Sequence, residues 1–150
     1  MEGFERSTVI HRPTEEVFGY LADLAHDAAW RREWVAASNV SEGPIGVGSR
    51  FRLVARFLGR ESATEYEVTE YEPNRSVAWK ALSGPLPLRF RRTFESVEGG
   101  TRVAIRYDAD IRGLLRLFGP PFARMGRRQL DGDLPVLKSL LETGASEPRP

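Results

Sequence analysis

Cysteine is absent from the sequence, and histidine is rare. Without cysteine the chain has no disulfide bond, no thiolate metal ligand and no cysteine nucleophile. The two histidines, His11 and His26, lie 15 positions apart, and no pattern of carboxylates around them matches a metal site. A G-x-S-x-G nucleophile motif is also missing. We therefore predict no metal site and no cofactor.

Excess charge and long hydrophobic runs are missing as well. Lysine and arginine together number 22, and aspartate and glutamate number 21, which leaves no general basic surface for nucleic acid. We interpret Arg124, Arg127 and Arg128 as a solvated helix face. No apolar run reaches the length of a transmembrane helix, and the first residues lack the apolar core of a signal peptide. We expect a cytoplasmic protein without a nucleic-acid partner or integral membrane contact, and the sequence leaves a homodimer open.

The first part of the chain predicts one strand followed by two short helices. Phe4 to His11 is rich in β-branched residues, which favour a strand. Pro13 suits the first turn of a helix, and Asp27 is predicted to cap a second short helix that runs through Trp30 and Trp34. The apolar stripe of the first helix is Val17, Phe18, Leu21 and Leu24.

The middle of the chain predicts an antiparallel meander. The glycine-rich stretch at 43–48 is followed by a strand and not by Lys-Ser/Thr and a helix, so we interpret it as a turn and not as a phosphate loop. From 50 to 109 apolar and polar residues alternate between short turns, which is typical of strands with one apolar face. The positions predicted to face inward include Phe51, Leu53, Tyr66, Glu70, Trp79, Phe90, Arg92 and Tyr107.

The last long segment, 114–142, predicts an amphipathic helix. Its apolar stripe must lie on the sheet, because an amphipathic helix cannot bury that stripe by itself. Pro120 and Pro121 fit a helix start, while Gly132 and Pro135 predict a kink, with Asp133 capping the final part again. The predicted stripe is Phe118, Phe122, Met125, Gln129, Leu130, Leu134, Leu137 and Leu141. We expect a single domain over 1–143 and a disordered tail over 144–150.

Several phrases of the sequence, in this order, resemble one known family. They are STVIHRPTEEVFGYLADLAHDAAW, GPIGVGSRF, YEVTEYEPNRSVAW and LPVLKSLLE. With them the chain resembles the polyketide cyclase/dehydrase and lipid-transport superfamily, also called START-like or SRPBCC, over residues 4 to 142. The resemblance implies an α+β helix-grip fold, in which a curved seven-stranded antiparallel sheet wraps around the C-terminal helix. It also implies an apolar cavity between the sheet and that helix.

Arg92 is the most informative candidate for a binding role. Its alternation with Phe90 and Phe94 places a guanidinium group on the apolar face, where an unpaired charge is very costly. One interpretation is that Arg92 binds an oxygen of a ligand. The alternatives are an internal ion pair, with Glu70 as a candidate partner, and a bulge that turns Arg92 outward.

The other candidate ligand contacts are aromatic or apolar residues of the predicted seam. Tyr66 and Tyr107 could each orient a ligand through the hydroxyl group, or could belong to the core. The remaining candidates are Trp79, Phe51, Leu53, Phe90, Trp30, Phe118, Phe122 and Met125. They are core residues in either interpretation, and only a cavity would make them ligand contacts.

Three functions remain open at this point. The first is the binding of a hydrophobic or amphipathic small molecule, lipid-like or polyketide-like, in the seam. The second is an aromatase/cyclase-type enzyme that uses the same cavity, with Arg92 or a tyrosine stabilising an enolate. The third is an interaction module with a filled core. We favour binding, because the sequence offers no strong acid and base pair.

Overall fold

The computed structural model describes residues 2–57, 59–83, 87–109 and 119–144, without the side chains of residues 2, 57 and 119–122. Seven strands and two α-helices are described, together with a 3₁₀-helix at Leu24–Ala29 that follows the first α-helix. The strands are β1 Glu2–Ile10, β2 Trp34–Asn39, β3 Arg50–Phe57, β4 Arg60–Glu72, β5 Ser76–Ala81, β6 Leu88–Val97 and β7 Gly100–Ala109. The helices are α1 Thr14–Leu21 and α2 Gly119–Glu142.

The seven strands form one antiparallel sheet in the order β1-β7-β6-β5-β4-β3-β2. Six of the strands follow one another as a meander, and the first strand of the chain joins the last one at the edge of the sheet. The two short helices lie between β1 and β2, and α2 packs along β1. This architecture confirms the predicted helix-grip fold.

The last helix is continuous where the sequence predicts interruptions. It runs from Gly119 to Glu142 with Pro135 inside it, so a segmented helix with Asp133 as a second cap is wrong. Residues 114–118 of the predicted helix lie outside the described residues. In the part of the chain that is described, no helix is long and apolar enough to cross a membrane. From residue 123 onward, the buried residues of α2 are Ala123, Gly126, Leu130, Asp133, Leu134, Leu137 and Leu141.

Met125 does not belong to the buried stripe. Its side chain is 44 % exposed, so the prediction that it faces the seam is wrong. The buried residues nearest to it along the helix are Ala123 and Gly126, and a small residue is required at 126 because a Cβ there would overlap the ring of Phe4 on β1. The helix therefore approaches the sheet through small residues at this level, and Met125 lies to the side.

The 3₁₀-helix is capped by a different residue from the predicted one. The carboxylate of Asp23 accepts a hydrogen bond from the Ala25 N–H at 2.9 Å, as an N-cap does. Asp27 lies inside this helix and is buried, so its prediction as the cap is wrong. The side chain of Asp27 is thereby free to pair with a residue of the sheet.

A β-bulge in β4 changes which residues face inward. The pairing register with β5 shifts between Val68 and Glu70, which adds one residue to β4 at that point. Because successive side chains alternate in direction, one extra residue reverses every position after it. Tyr71 is therefore turned toward the core, where its ring meets Phe18 edge-on at 5.4 Å. Glu70, predicted to face inward, is turned to the outer face instead.

Candidate functional site

Aromatic rings form a continuous row across the inner face of the sheet. Phe4, Tyr107, Phe90 and Trp79 stand opposite one another on β1, β7, β6 and β5. Their rings are stacked, with centroid distances of 5.2 Å, 5.2 Å and 4.8 Å along the row. Tyr66 on β4 meets Phe90 edge-on at 5.3 Å and extends the row toward β2. Directly opposed aromatic pairs stabilise a sheet and here build one wall of the seam.

The far end of this wall is also apolar and buried. Trp34 on β2 meets the ring of Tyr66 edge-on at 6.4 Å. Phe51 and Leu53 on β3 are fully buried, and Phe51 stands directly opposite Tyr66. The strand alternation therefore brings the predicted positions on β3, β4, β5, β6 and β7 together on one surface. The predicted residue Phe118 and the side chain of Phe122 lie outside the described residues.

Arg92 lies at the centre of this inner face and is completely buried. Its Nη2 donates to Asp27 Oδ2 at 2.5 Å, and its Nη1 donates to Asp27 Oδ1 at 3.1 Å. The Nη1 group also donates to the backbone oxygen of Leu21 at 2.8 Å, at the end of α1. Arg92 therefore forms a buried, two-pronged ion pair that ties the sheet to α1 and to the 3₁₀-helix.

Arg92 forms an internal ion pair, but Glu70, the candidate partner, is not the residue that it contacts. Because of the bulge, Glu70 lies on the outer face and accepts a hydrogen bond from Arg91 Nε at 2.9 Å. Burial lowers the pKa of Arg92, but the Asp27 carboxylate outweighs it, so the pKa stays above its usual value and the guanidinium remains charged.

The guanidinium group of Arg92 is enclosed by aromatic rings. Its central carbon lies 5.3 Å from the ring centroid of Trp30, 5.2 Å from that of Trp79 and 5.8 Å from that of Phe90. Contacts of a cation with aromatic faces are attractive and strengthen away from water. The Arg92–Asp27 pair therefore also fixes the position of the Trp30 ring in the seam.

Arg31 is a functional candidate that the sequence interpretation missed. It is almost fully buried, and its guanidinium lies 5.3 Å from the ring centroid of Tyr107 and 5.7 Å from that of Trp30. Its Nη2 donates to Glu33, and its Nε lies 3.5 Å from Asp133 Oδ2 on α2. No alternation could identify Arg31, because it lies in the connection between the 3₁₀-helix and β2.

Asp133 joins this connection to the last helix. Besides the contact with Arg31, its Oδ1 accepts a hydrogen bond from Arg32 Nε at 3.1 Å, from the exposed side. A Cβ at Gly132 would overlap the Arg32 guanidinium, so the glycine leaves room for this approach. The Gly132–Asp133 segment was predicted to interrupt the helix. It is instead the part of α2 that Arg31 and Arg32 contact. The sequence does contain one indication of this contact, because Asp133 is a charged residue within the leucine stripe of the helix.

Buried hydrogen-bond donors without an acceptor collect around these residues. They are Nε1 of Trp30, Trp34 and Trp79, Nε of Arg92, and Nε and Nη1 of Arg31. The hydroxyl groups of Tyr66 and Tyr107 are not among these fully enclosed atoms, and within the described part of the chain they have no hydrogen-bond partner. A buried donor without an acceptor costs about 1–3 kcal/mol. The inner face can therefore offer N–H and O–H donors to the oxygen atoms of another molecule.

The tyrosine hydroxyls of the site remain protonated. Burial raises the pKa of Tyr66 well above its usual range, with smaller contributions from Tyr107 and Glu33. Burial raises the pKa of Tyr107 in the same direction, and the nearby Arg31 and Arg92 offset it only in part. Both groups are consequently neutral hydrogen-bond donors near neutral pH.

The carboxylates of this region are engaged in ion pairs. Asp27 pairs with Arg92, Asp133 pairs with Arg31 and Arg32, and Glu33 pairs with Arg31. Among the described residues, no group of three histidine, cysteine, aspartate or glutamate side chains is placed to hold a metal ion. The groups of this region that remain without a partner are hydrogen-bond donors beside an aromatic surface.

Comparison with known proteins relates both the sequence and the fold to one group. The family model described as polyketide cyclase / dehydrase and lipid transport matches residues 1–142. A START superfamily protein from Mycobacterium smegmatis has a similar structure, with a TM-score of 0.79 at 14 % identity, covering 95 % of this chain and 99 % of that chain. A protein from Deinococcus radiodurans gives a TM-score of 0.71 at 21 % identity, with 96 % and 99 % covered.

A biosynthetic protein has the same fold. The di-domain ARO/CYC StfQ from the steffimycin biosynthetic pathway gives a TM-score of 0.76 at 15 % identity, covering 95 % of this chain and 51 % of that chain. Identities at this level demonstrate a shared fold and no more than that. No curated protein matches the sequence significantly.

Proposed function

Since the chain belongs to the polyketide cyclase / dehydrase and lipid transport family, we propose that it binds a hydrophobic or amphipathic small molecule between the sheet and α2, in the cytoplasm. The aromatic row is the apolar wall of the proposed site. The buried donors and the two tyrosine hydroxyls hold the polar oxygens of the ligand. Burial of apolar surface supplies the affinity, and a few hydrogen bonds fix the orientation.

The unpaired donor groups on the apolar face are the observation that carries this proposal. A core that serves packing alone has no use for three indole N–H groups and an Arg31 N–H that are buried without acceptors. A ligand with carbonyl, ether or carboxylate oxygens would satisfy them. Arg92 is not a principal ligand contact in this proposal, since Asp27 and Leu21 occupy most of its donors. It positions Trp30, and only its Nε faces the site without an acceptor.

The same groups favour binding over cyclisation. Aldol closure and dehydration of a poly-β-ketone need a group that accepts a proton from carbon. The buried carboxylates Asp27 and Asp133 are held in ion pairs with arginine, and the neutral tyrosines are donors. An aromatase/cyclase activity is therefore our second candidate, and an interaction module with a filled core is the third.

A titration with 1-anilinonaphthalene-8-sulfonate, an amphipathic probe with acceptor oxygens, tests the proposal. All three tryptophans of the chain have their indole nitrogen buried in this region, so quenching of their emission reports on the site itself. We expect saturable binding by the wild type. Tyr66→Phe and Tyr107→Phe should each weaken it about fivefold, the equivalent of one net hydrogen bond.

Tyr71→Phe is the matched control. It removes the same hydroxyl group from a tyrosine that packs against Phe18 beyond the bulge. Its affinity for the probe should equal that of the wild type. Equal affinities for all three variants, or no saturable binding by the wild type, would favour the filled core. Native mass spectrometry of the protein purified from its own host would show whether a small molecule of defined mass accompanies it.

A further inference from the structure

We propose a second site on the opposite, outer face of the sheet, which binds a multiply charged oxyanion such as a diphosphate. A depression of about 370 Å³ lies there over β5 and β6, on the side away from the aromatic row. The ligand binding proposed for the inner face makes no use of this depression. The outward-facing residues that line it are Thr69, Ala78, Lys80, Arg89, Arg91 and Asp108.

Cations stand directly opposite one another around this depression. Lys80 on β5 is paired in register with Arg89 on β6. Arg91, two residues farther along β6, is paired in register with Arg106 on β7. Like charges at directly opposed positions destabilise a sheet unless an anion offsets them. Arg91 and Arg106 each have a carboxylate partner at 2.9 Å, so the pair Lys80 and Arg89 holds the local excess of positive charge.

Arg89 has no anionic partner within the described part of the chain, although one stands opposite it. Its neighbour in register on β7 is Asp108. The Asp108 carboxylate instead accepts two hydrogen bonds from Arg106, each of 2.9 Å. It lies over Gly3 of β1, where a Cβ would collide with its Oδ1. The glycine thus lets Asp108 turn away from β6 and leaves the Arg89 guanidinium unpaired.

Lys80 is only weakly compensated. Its Nζ lies 3.7 Å from Glu67 Oε1, and the other oxygen of the same carboxylate lies 3.7 Å from Arg50 Nε. One carboxylate therefore serves two cations, both beyond hydrogen-bonding distance. Lys80 and Arg89 can turn toward a shared anion without breaking a strong contact.

The space above these cations has two structural causes. Ala78, opposite Arg91, presents only a methyl group between the longer side chains. The bulge places the additional residue Thr69 at the rim, where its hydroxyl can donate a hydrogen bond. An anion with a single charged oxygen group can contact only one of the two cations, whereas a diphosphate can contact Lys80 and Arg89 together.

Isothermal titration calorimetry with inorganic pyrophosphate at low ionic strength tests this site. The wild type should bind it saturably, and Arg89→Gln should weaken binding about tenfold, by loss of a charge-assisted contact. Arg102→Gln is the matched control, because Arg102 is exposed on β7 and is paired with Glu95 at 2.7 Å. That variant should bind pyrophosphate like the wild type.

Two outcomes would overturn the proposal. One is the absence of saturable heat with the wild-type protein. The other is an equal loss of affinity in Arg89→Gln and Arg102→Gln, which indicates general attraction of an anion to the surface. Arg89→Gln and the wild type should bind 1-anilinonaphthalene-8-sulfonate with the same affinity. The proposal of the outer site and that of the apolar site are therefore tested independently.

Discussion

The pair formed by Arg92 and Asp27 concentrates two opposite charges in the interior, each without access to solvent. Removing both charges from water is expensive, and their attraction offsets that cost only while both partners are present. If Arg92 were a ligand contact, as one interpretation of the sequence has it, Arg92→Ala would be expected to weaken ligand binding without unfolding the domain. The ion pair changes that expectation, because the substitution leaves Asp27 as an uncompensated buried charge.

We predict that Arg92→Ala lowers the free energy of unfolding by about 3–5 kcal/mol. The double variant Arg92→Met/Asp27→Leu removes both charges and should recover most of that loss. Urea unfolding followed by circular dichroism measures the two values. If the single variant lost less than about 1 kcal/mol, the value of an exposed pair, the buried ion pair would not contribute as described.

At the scale of elements, α2 approaches the sheet through a glycine. A Cβ at Gly126 would overlap the ring of Phe4, which cannot easily withdraw because it is stacked on Tyr107 at 5.2 Å. In an exposed helix, replacing glycine with alanine stabilises by about 1 kcal/mol. Here the gain in helix propensity is opposed by a steric cost in a packed core of about 1–3 kcal/mol.

Gly126→Ala should therefore lower the free energy of unfolding by up to about 2 kcal/mol. Gly19→Ala makes the same change in α1, where a Cβ would meet no atom within 4 Å. That control should raise the free energy of unfolding by about 0.5–1 kcal/mol. Chemical denaturation measures both changes in the free energy of unfolding. Changes of opposite sign would confirm the close approach of α2 to the sheet, and a stabilising Gly126→Ala would contradict it.

The elements themselves were largely predictable from the sequence. Alternation located the strands of the meander and placed Trp79, Phe90 and Tyr107 on one face, because a two-residue period is a local property. The bulge was not predictable, since Thr69 and Glu70 are both polar and fit either face. The bulge turns Glu70 outward, and Glu70 therefore cannot be the partner of Arg92.

At the scale of the whole molecule, the first strand and the last helix are fastened to each other. Lys138 Nζ on α2 donates to the backbone oxygen of Val9 at 2.6 Å and to Glu142 Oε2 at 2.7 Å. The same Glu142 oxygen accepts a hydrogen bond from the His11 N–H at 2.9 Å. The hydrogen bond from Lys138 and that from the His11 backbone lower the pKa of Glu142 to about 2.

This pKa shift predicts a pH-dependent contribution to stability. Since the folded-state pKa of about 2 lies below the ordinary value of 4.5, the ionised Glu142 stabilises the fold above about pH 4.5, and that stabilisation is lost as the pH falls through about 2. Glu142→Gln should lower the Tm by a few degrees at neutral pH, and the difference should vanish near pH 2. Thermal unfolding across this range is the measurement.

Glu98→Gln provides the reference for that experiment. Glu98 is exposed in the turn between β6 and β7 and has no ion pair with the described residues. Its substitution should leave the Tm unchanged at every pH. A constant difference between Glu142→Gln and the wild type down to pH 2 would contradict the shifted pKa.

The contacts that hold the whole molecule together were the part that the sequence could not reveal. Arg92 and Asp27 are 65 positions apart, and Arg32 and Asp133 are 101 apart. A pair of this kind leaves no periodic trace in the chain, because many arginines and carboxylates are available as partners. Local patterns therefore predicted the apolar face of the sheet, and only the folded arrangement brought Arg31 and Asp133 to the candidate site.

The bulge in β4 has a consequence for how this chain can change in length over evolution. Before the bulge the even-numbered residues Tyr66 and Val68 face inward, and after it the odd-numbered Tyr71 does. The alternation of β4 therefore changes parity at Thr69. Deleting Thr69 would join the two parts into one regular strand, with Glu70 still facing outward and Tyr71 still facing inward. Substitutions at Thr69 should also be tolerated, because its side chain is exposed. We therefore expect relatives of this chain to vary at residue 69 both in its identity and in its presence, while a deletion or insertion of one residue elsewhere in β4 would reverse the buried positions.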